Sequence, residues 1–211
     1  MARVQNTLIG KSSGSVGGAT FSTWKGLNVL KSKPETVANP QSDNQLMRRS
    51  AMTQMVTIFR RIPAAVDAGF KKLAIHMSAF NAFVSYNLKN AFDYSAPPNA
   101  TIDLSSILIS KGTITPTASS TVTKTNGSPT ITVTYPTTIA DPGQSATDKV
   151  IVVCYNEDQF NWGSAVGTAT RADGTVDVTM PTDFSTTDVV VTYLAFYNEL
   201  SGESSDSTND A

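Results

Sequence analysis

Between residues 40 and 91 apolar residues recur at steps of three and four, and from Thr101 onward at steps of two. Helices therefore precede strands. Leu46, Met52, Met55, Val56, Phe59 and Ile62 predict a helix over about 40–62, opened by Asn39 as cap and Pro40 at its first position and ended by Pro63. Residues 64–72 predict a short second helix. Leu73, Met77, Phe80, Val84 and Leu88 predict a third over about 73–91, packed on the first as a helical hairpin. Upstream, Val4–Ile9 and one or two stretches within Ala19–Lys31 read as short strands flanking a flexible loop, Gly10–Gly18, with four glycines in nine residues.

Past Ser95-Ala96-Pro97-Pro98-Asn99, read as a linker or sharp turn and as the domain boundary, strand candidates follow at 102–109, 113–115 with 121–125, 130–135, 149–156, 165–169, 175–180 and 189–197. Asn126-Gly127, Asp141-Pro142-Gly143, Asp173-Gly174 and Pro181 separate them. That rhythm predicts an all-β, immunoglobulin-like sandwich. The expected class is α+β, with a β-hairpin and helical hairpin over 1–95, the sandwich over 96–200 and an acidic tail at 201–211. The tail has no apolar anchor and is expected to be mobile.

Charge sharpens this division. Residues 1–95 carry 12 Lys and Arg against four acids, and residues 96–211 carry four bases against 13 acids, so a net charge of −1 conceals halves of +8 and −9. Such asymmetry suits a polyanionic partner for the basic half, or like molecules stacking plus to minus.

Candidate chemistry is sparse. One cysteine and one histidine exclude an intramolecular disulfide and a Cys/His zinc cluster. Cys154, within Val150–Tyr155, reads as a core thiol, and His76 as a helix-surface residue with no partner for a catalytic relay. Gly10-Lys11-Ser12 lacks the order of a phosphate loop. Glu157 and Asp158 are chain neighbours that point apart rather than facing across a cleft, and Asp141, Asp148, Asp173 and Asp177 read as turn residues without calcium-loop spacing. No catalytic, cofactor-binding or metal-ligating residue is assigned, and the chain reads as non-enzymatic. Two contact sets remain. Arg3, Lys11, Lys25, Lys31, Lys33, Arg48, Arg49, Arg60 and Arg61 form a candidate anchor for a polyanion, with Arg49 and Arg60 about three turns apart on one helix face. Tyr155, Phe160 and Trp162 form a candidate contact loop for a protein or sugar surface, with ordinary packing at a sheet edge as the other reading. No apolar run reaches 18 residues and none follows the start, so neither a membrane span nor a signal peptide is expected.

The stretch Gly10–Phe21, then Trp24-Lys25-Gly26, Lys31-Ser32-Lys33-Pro34, and Asn39-Pro40 leading through Gln45 to Arg48-Arg49 resembles an uncharacterised family of short proteins common in Bacteroidota and their phages. Ala79–Ala82 and Ser85–Ala91 look like its second block, so the specific resemblance covers the first 95 residues. Tyr155-Asn156-Glu157, Ala172-Asp173-Gly174 and Phe196-Tyr197-Asn198 look like family strand ends, while the polar tail stands where a final strand would be. The resemblance carries no catalytic residue. It implies a virion structural protein, a capsid-decorating or head–tail connector component made in the bacterial cytoplasm, with other virion proteins and its own copies as partners. A DNA-binding accessory protein that uses the same basic half is the alternative.

Overall fold

The computed structural model describes residues 2–3, 13–24, 27–36, 39–117, 120–141 and 143–210. They fall into two compact units, Met1–Gln41 and Ser42–Ala211. The first is an antiparallel sheet of β1 (Ala2–Arg3), β2 (Gly14–Val16), β3 (Ala19–Trp24) and β4 (Leu27–Ser32), in the order β1-β4-β3-β2. Part of the glycine stretch expected to be loop is thus strand and turn. Val16 pairs with Ala19, leaving Gly17 and Gly18 as a two-residue hairpin loop, and Gly17 has φ +56°, which a side chain would resist. The strand expected at Val4–Ile9 lies outside the described residues.

In the second unit, α1 (Asp43–Arg61) buries Met47, Ala51, Met55 and Ile58 along one stripe. It begins later than Asn39 and Pro40 predict: Gln41 has φ +48°, outside helical space, and Ser42 takes the N-cap position. Pro63 divides α1 from α2 (Pro63–Gly69) by occupying the first turn of the new helix, where no N–H is needed. The third helix, α3, spans Ala79–Asn90 rather than 73–91. His76 has φ +60°, which interrupts helical propagation, and the Ser78 hydroxyl accepts from Asn81 N at 3.2 Å and caps the new start. Consequently His76 lies in a turn rather than on a helix. Leu73 and Met77, expected on the core face, are 42% and 49% exposed.

A short β5 (Phe92–Asp93) pairs with β6 (Thr101–Ile102). The strand expected over 102–109 stops there because the Asp103 carboxylate accepts from Ser105 N at 3.0 Å and starts a 3₁₀ turn, Leu104–Ser106. Ile107 and Ile109 are buried from irregular chain. At 113–115 only Ile114 makes a bridge, to Ser205. Then come β7 (Thr121–Lys124), β8 (Ser128–Thr134), β9 (Lys149–Asn156), β10 (Asn161–Thr170), β11 (Thr175–Phe184), β12 (Val190–Tyr197) and β13 (Thr208–Asp210). They form two antiparallel sheets, β10-β9-β12-β13 and β11-β8-β7.

Every residue from Val150 to Cys154 is fully buried, so β9 has no polar face. Val150, Val152 and Cys154 pack with Ile131, Val133, Val178 and Phe184 of the three-stranded sheet. Ile151 and Val153 point the other way and share a core with Tyr193, Met55, Ile62, Val66, Phe70 and Phe83. The unit is therefore layered as helices, four-stranded sheet and three-stranded sheet. A sheet apolar on both faces needs two covers, each buried Val or Ile contributing roughly 1.5–3 kcal/mol. This corrects the boundary expected at Ser95–Asn99: the chain divides after Gln41, and the helices belong to the same core as the strands.

The expectation of a mobile tail is also corrected. β13 pairs with β12, and Ser204, Ser205 and Ser207 are buried. Ser204 Oγ donates to Gly69 O at 2.8 Å, Ser110 Oγ to Ser205 O at 2.6 Å, and Ser207 Oγ accepts from Ile109 N at 3.1 Å. Asp206 Oδ1 accepts from Gly112 N at 2.9 Å and Asp210 Oδ2 from Ser120 N at 2.7 Å. The segment is held by matched polar groups, which lets serines be buried without apolar anchors.

The two central strands are launched and closed by the same device. Ser145-Ala146-Thr147-Asp148 precedes β9 and Ser185-Thr186-Thr187-Asp188 precedes β12; in each turn the Asp carboxylate accepts from the Ser N–H, at 2.7 and 3.2 Å. Tyr155-Asn156-Glu157 and Tyr197-Asn198-Glu199 end the strands. Because β9 and β12 are antiparallel, each start lies beside the other's end. Asn156 Nδ2 donates to Asp188 Oδ2 at 2.8 Å and Asn198 Nδ2 to Asp148 Oδ1 at 3.2 Å, a reciprocal pair of clamps. Only Asp148 also faces a buried cation, Arg171 Nε at 3.7 Å. Asp148→Ala is therefore expected to lower the unfolding free energy by about 3–5 kcal/mol, since it strands that cation, and Asp188→Ala by about 1–2 kcal/mol. Urea denaturation measures both, and equal losses would show that Arg171 does not deepen the first clamp.

Candidate functional site

The β9–β10 connection carries the three aromatics expected to form a contact loop, and the structure brings them into one groove. Tyr155 and Trp162 face each other across the β9–β10 ladder and stack at 4.4 Å between ring centroids and 30° between planes. Trp162 in turn lies 6.4 Å from the buried ring of Tyr193. Thr53, Gln54, Thr57 and Ile58 of α1, with Ile102 and Leu104, complete a groove of about 290 Å³. Burial pushes the Tyr155 hydroxyl above its ordinary pKa, and Glu157 adds to the effect.

Phe160, at the tip, is 78% exposed and has φ +55°. A non-glycine residue holds such a conformation only where its surroundings dictate it. Here Asn156 Oδ1 accepts from Asp158 N at 3.0 Å and Gln159 N at 3.1 Å, and Gln159 Nε2 donates to Asp183 O and Asp188 Oδ2, both at 3.0 Å. Asp158 Oδ2 accepts from Val189 N at 2.7 Å. These bonds fix the backbone on either side of Phe160 and so the direction in which it projects, which lowers the entropic cost of a contact.

The candidate anchor residues fall on both units. Lys31 and Lys33 are exposed in and just after β4, and Arg3 lies in β1. Lys11 and Lys25 lie outside the described residues. Arg48, Arg49, Arg60 and Arg61 are exposed on α1. Arg48 stacks its guanidinium 3.9 Å from the Tyr94 ring centre, and Arg60 and Arg61 occupy the last helical turn, where positive charge offsets the helix dipole.

Two of the aspartates read as turn residues are engaged locally. Asp173 accepts from Thr170 N and Oγ1, at 2.7 and 2.8 Å, which lowers its pKa, and Asp177 accepts from Thr132 Oγ1 at 2.6 Å. Among the described residues no group of three or more His, Cys, Asp or Glu could hold a metal ion, and no helix is long and apolar enough to cross a membrane.

Two features escaped the sequence reading. Arg171 is fully buried, with its guanidinium 3.9 Å from the Phe196 ring centre and Nη1 donating to Thr117 Oγ1 at 3.0 Å. A lone Arg after a strand carries no signal for this. A second, chiefly apolar groove of about 260 Å³ lies beside α3, lined by Phe70, Leu73, Met77 and Tyr86 with Lys89 and Lys111. Its signal was hidden because Leu73 and Met77 fit the periodicity of α3.

Comparison with known proteins finds one family model, described as a family of unknown function, DUF6266, which matches residues 10–209. No curated protein and no solved structure matches the chain.

Cys154 is fully buried in β9, and burial pushes its thiol up to about 12. At pH 8 the folded protein should leave a disulfide reagent unreacted, and denaturant should release one thiol per chain. Prompt reaction of the native protein would show that the β9 core opens.

Proposed function

We propose, from the premise that the chain belongs to the DUF6266 family, that it is a non-enzymatic structural protein of a phage particle, present in many copies and attached through its basic N-terminal unit. One observation carries this reading: the two compact units carry net charges of opposite sign, although the sharpest change of sign, near residue 95, falls inside the larger one. Met1–Gln41 holds five bases and one acid, a net +4, while Ser42–Ala211 holds 11 bases and 16 acids, a net −5. A small unit of net positive charge and a large one of net negative charge favour ordered stacking of copies, or attachment of the small unit to a negative lattice, and oppose random aggregation. The phage assignment draws its support from the sequence resemblance over the first 95 residues.

The N-terminal sheet suits attachment. Its outer strands β1 and β2 each have one neighbour among the described residues, and Val16 on β2 is 72% exposed. An unpaired strand edge is a template for pairing with another chain. We read the β-rich part of the larger unit as an immunoglobulin-like sandwich on the strength of its strand order, in which β7-β8-β11 faces β10-β9-β12-β13 and the last strand closes the second sheet. On this reading the aromatic groove at Tyr155, Phe160 and Trp162 is a further contact on the displayed body. The histidine in a turn, the buried thiol and the aspartates engaged in caps all fit a role in contact rather than turnover.

Quantitative mass spectrometry of purified particles tests the proposal, with stoichiometric recovery expected. Lys31→Glu combined with Lys33→Glu should reduce incorporation by about tenfold while leaving the circular dichroism of the free protein unchanged. Absence from particles, together with steeply salt-dependent binding of the purified protein to duplex DNA, would overturn it in favour of a DNA-binding accessory role.

A further inference from the structure

The turn between α2 and α3 exposes three large apolar side chains in five residues, Leu73 at 42%, Ile75 at 68% and Met77 at 49%. Two of them line the groove of about 260 Å³ whose floor includes Phe70 and Tyr86 and whose rim carries Lys89 and Lys111. Lys111 Nζ lies 4.9 Å over the Tyr86 ring and 3.2 Å from Asp206 Oδ2. Lys89 is exposed and forms no ion pair among the described residues.

A second apolar feature projects from the same unit. Leu200 is 99% exposed at the tip of the β12–β13 connection. An isolated exposed leucine is ordinary, but this one is held stiffly. Asn198 Oδ1 accepts from Leu200 N and Ser201 N at 3.0 Å each, Gly202 N donates to Asn198 O at 2.9 Å, and Asn198 N donates to Glu203 O at 2.8 Å. Glu199, next to Leu200, is exposed and without an ion-pair partner among the described residues. The ion pair between Lys72 and Glu203 ties this turn to the segment that leads into Leu73. The Leu200 turn is thereby tied to the segment that leads into the groove, with an acid at the turn and lysines at the groove.

We propose that turn and groove form a self-association surface whose occupant is a second copy of the chain, related by a two-fold axis, with Leu200 of each copy seated in the groove of the other and Glu199 meeting Lys89. A face that holds both a projection and its complement makes both contacts at once under two-fold symmetry. Glu199 and Lys89, which form no ion pair among the described residues, are paired across the axis, and the apolar side chains at the centre are removed from water. The inference deepens the reading of a multi-copy structural protein. It fails separately from that reading, because it is measured on the purified chain in solution rather than on particles.

Analytical ultracentrifugation of the full chain at about 0.1 mM is expected to show a dimer. Leu200→Asp and Lys89→Glu should each raise the dissociation constant about tenfold or more, with circular dichroism and melting unchanged because both residues are exposed. Glu199→Lys alone should weaken association likewise. Mixing the Glu199→Lys and Lys89→Glu proteins should restore a heterodimer, since each of the two contacts then pairs opposite charges. A monomeric wild type, a mixture that stays dissociated, or growth into open polymers would overturn the two-fold contact.

Discussion

The β9–β12 ladder has no face that can meet water, and the rest of the second unit follows from that. Val150–Cys154 and Val191–Phe196 are buried throughout, so one sheet requires cover on two sides. The three-stranded sheet supplies one cover and the helices the other. An amphipathic helix with a narrow apolar stripe has little stability alone; α1 gains it by placing Met55 and Ile58 in the core that holds Ile151 and Val153. The basic helices are thus bound to the acidic strands by packing, whatever their charges.

Directional polar contacts specify where this apolar arrangement stops. Asp148 with Asn198, and Asp188 with Asn156, lock both ends of the central ladder and so fix its register. In the C-terminal segment Ser204 donates to the carbonyls of Gly69 at the end of α2 and of Lys111, Ser205 O accepts from Ser110 and Ser207 accepts from Ile109 N, and β13 closes the second sheet. Arg171 is the expensive member of this set. Burial lowers its pKa while Asp148 acts in the opposite direction, and the ring of Phe196 covers its guanidinium.

Much of the local structure is legible in the residues. The continuous apolar run Val150–Tyr155 between Lys149 and Asn156 gives β9 its observed bounds, and the hairpin from Ala19, the stripe of α1 and the break at Pro63 all follow from nearby side chains. What fails is what depends on partners distant in sequence. Leu73 and Met77 share a helical spacing with Phe80 and Val84, yet a left-handed His76 and the Ser78 cap separate them. The tail looks free because its anchors are hydroxyls and carboxylates that bond across about a hundred residues. The change of composition at Pro97-Pro98 marks a change of secondary structure and not a domain boundary. A signal was present and unread: Ser-x-Thr-Asp and Tyr-Asn-Glu each occur twice, at the two ends of the central strands. For the candidate site, the aromatic loop at Tyr155, Phe160 and Trp162 was visible from composition, while the wall supplied by α1 was not, because it comes from about a hundred residues upstream.

Helices and central strands share one core, distinct from the N-terminal sheet, and should therefore unfold together. Native-state hydrogen exchange measures this most directly. The slowest amides of α1 and α3 are expected to open at the same free energy as those of β9 and β12. Helical amides that open at a distinctly lower free energy, while β9 and β12 stay protected, would contradict a shared core.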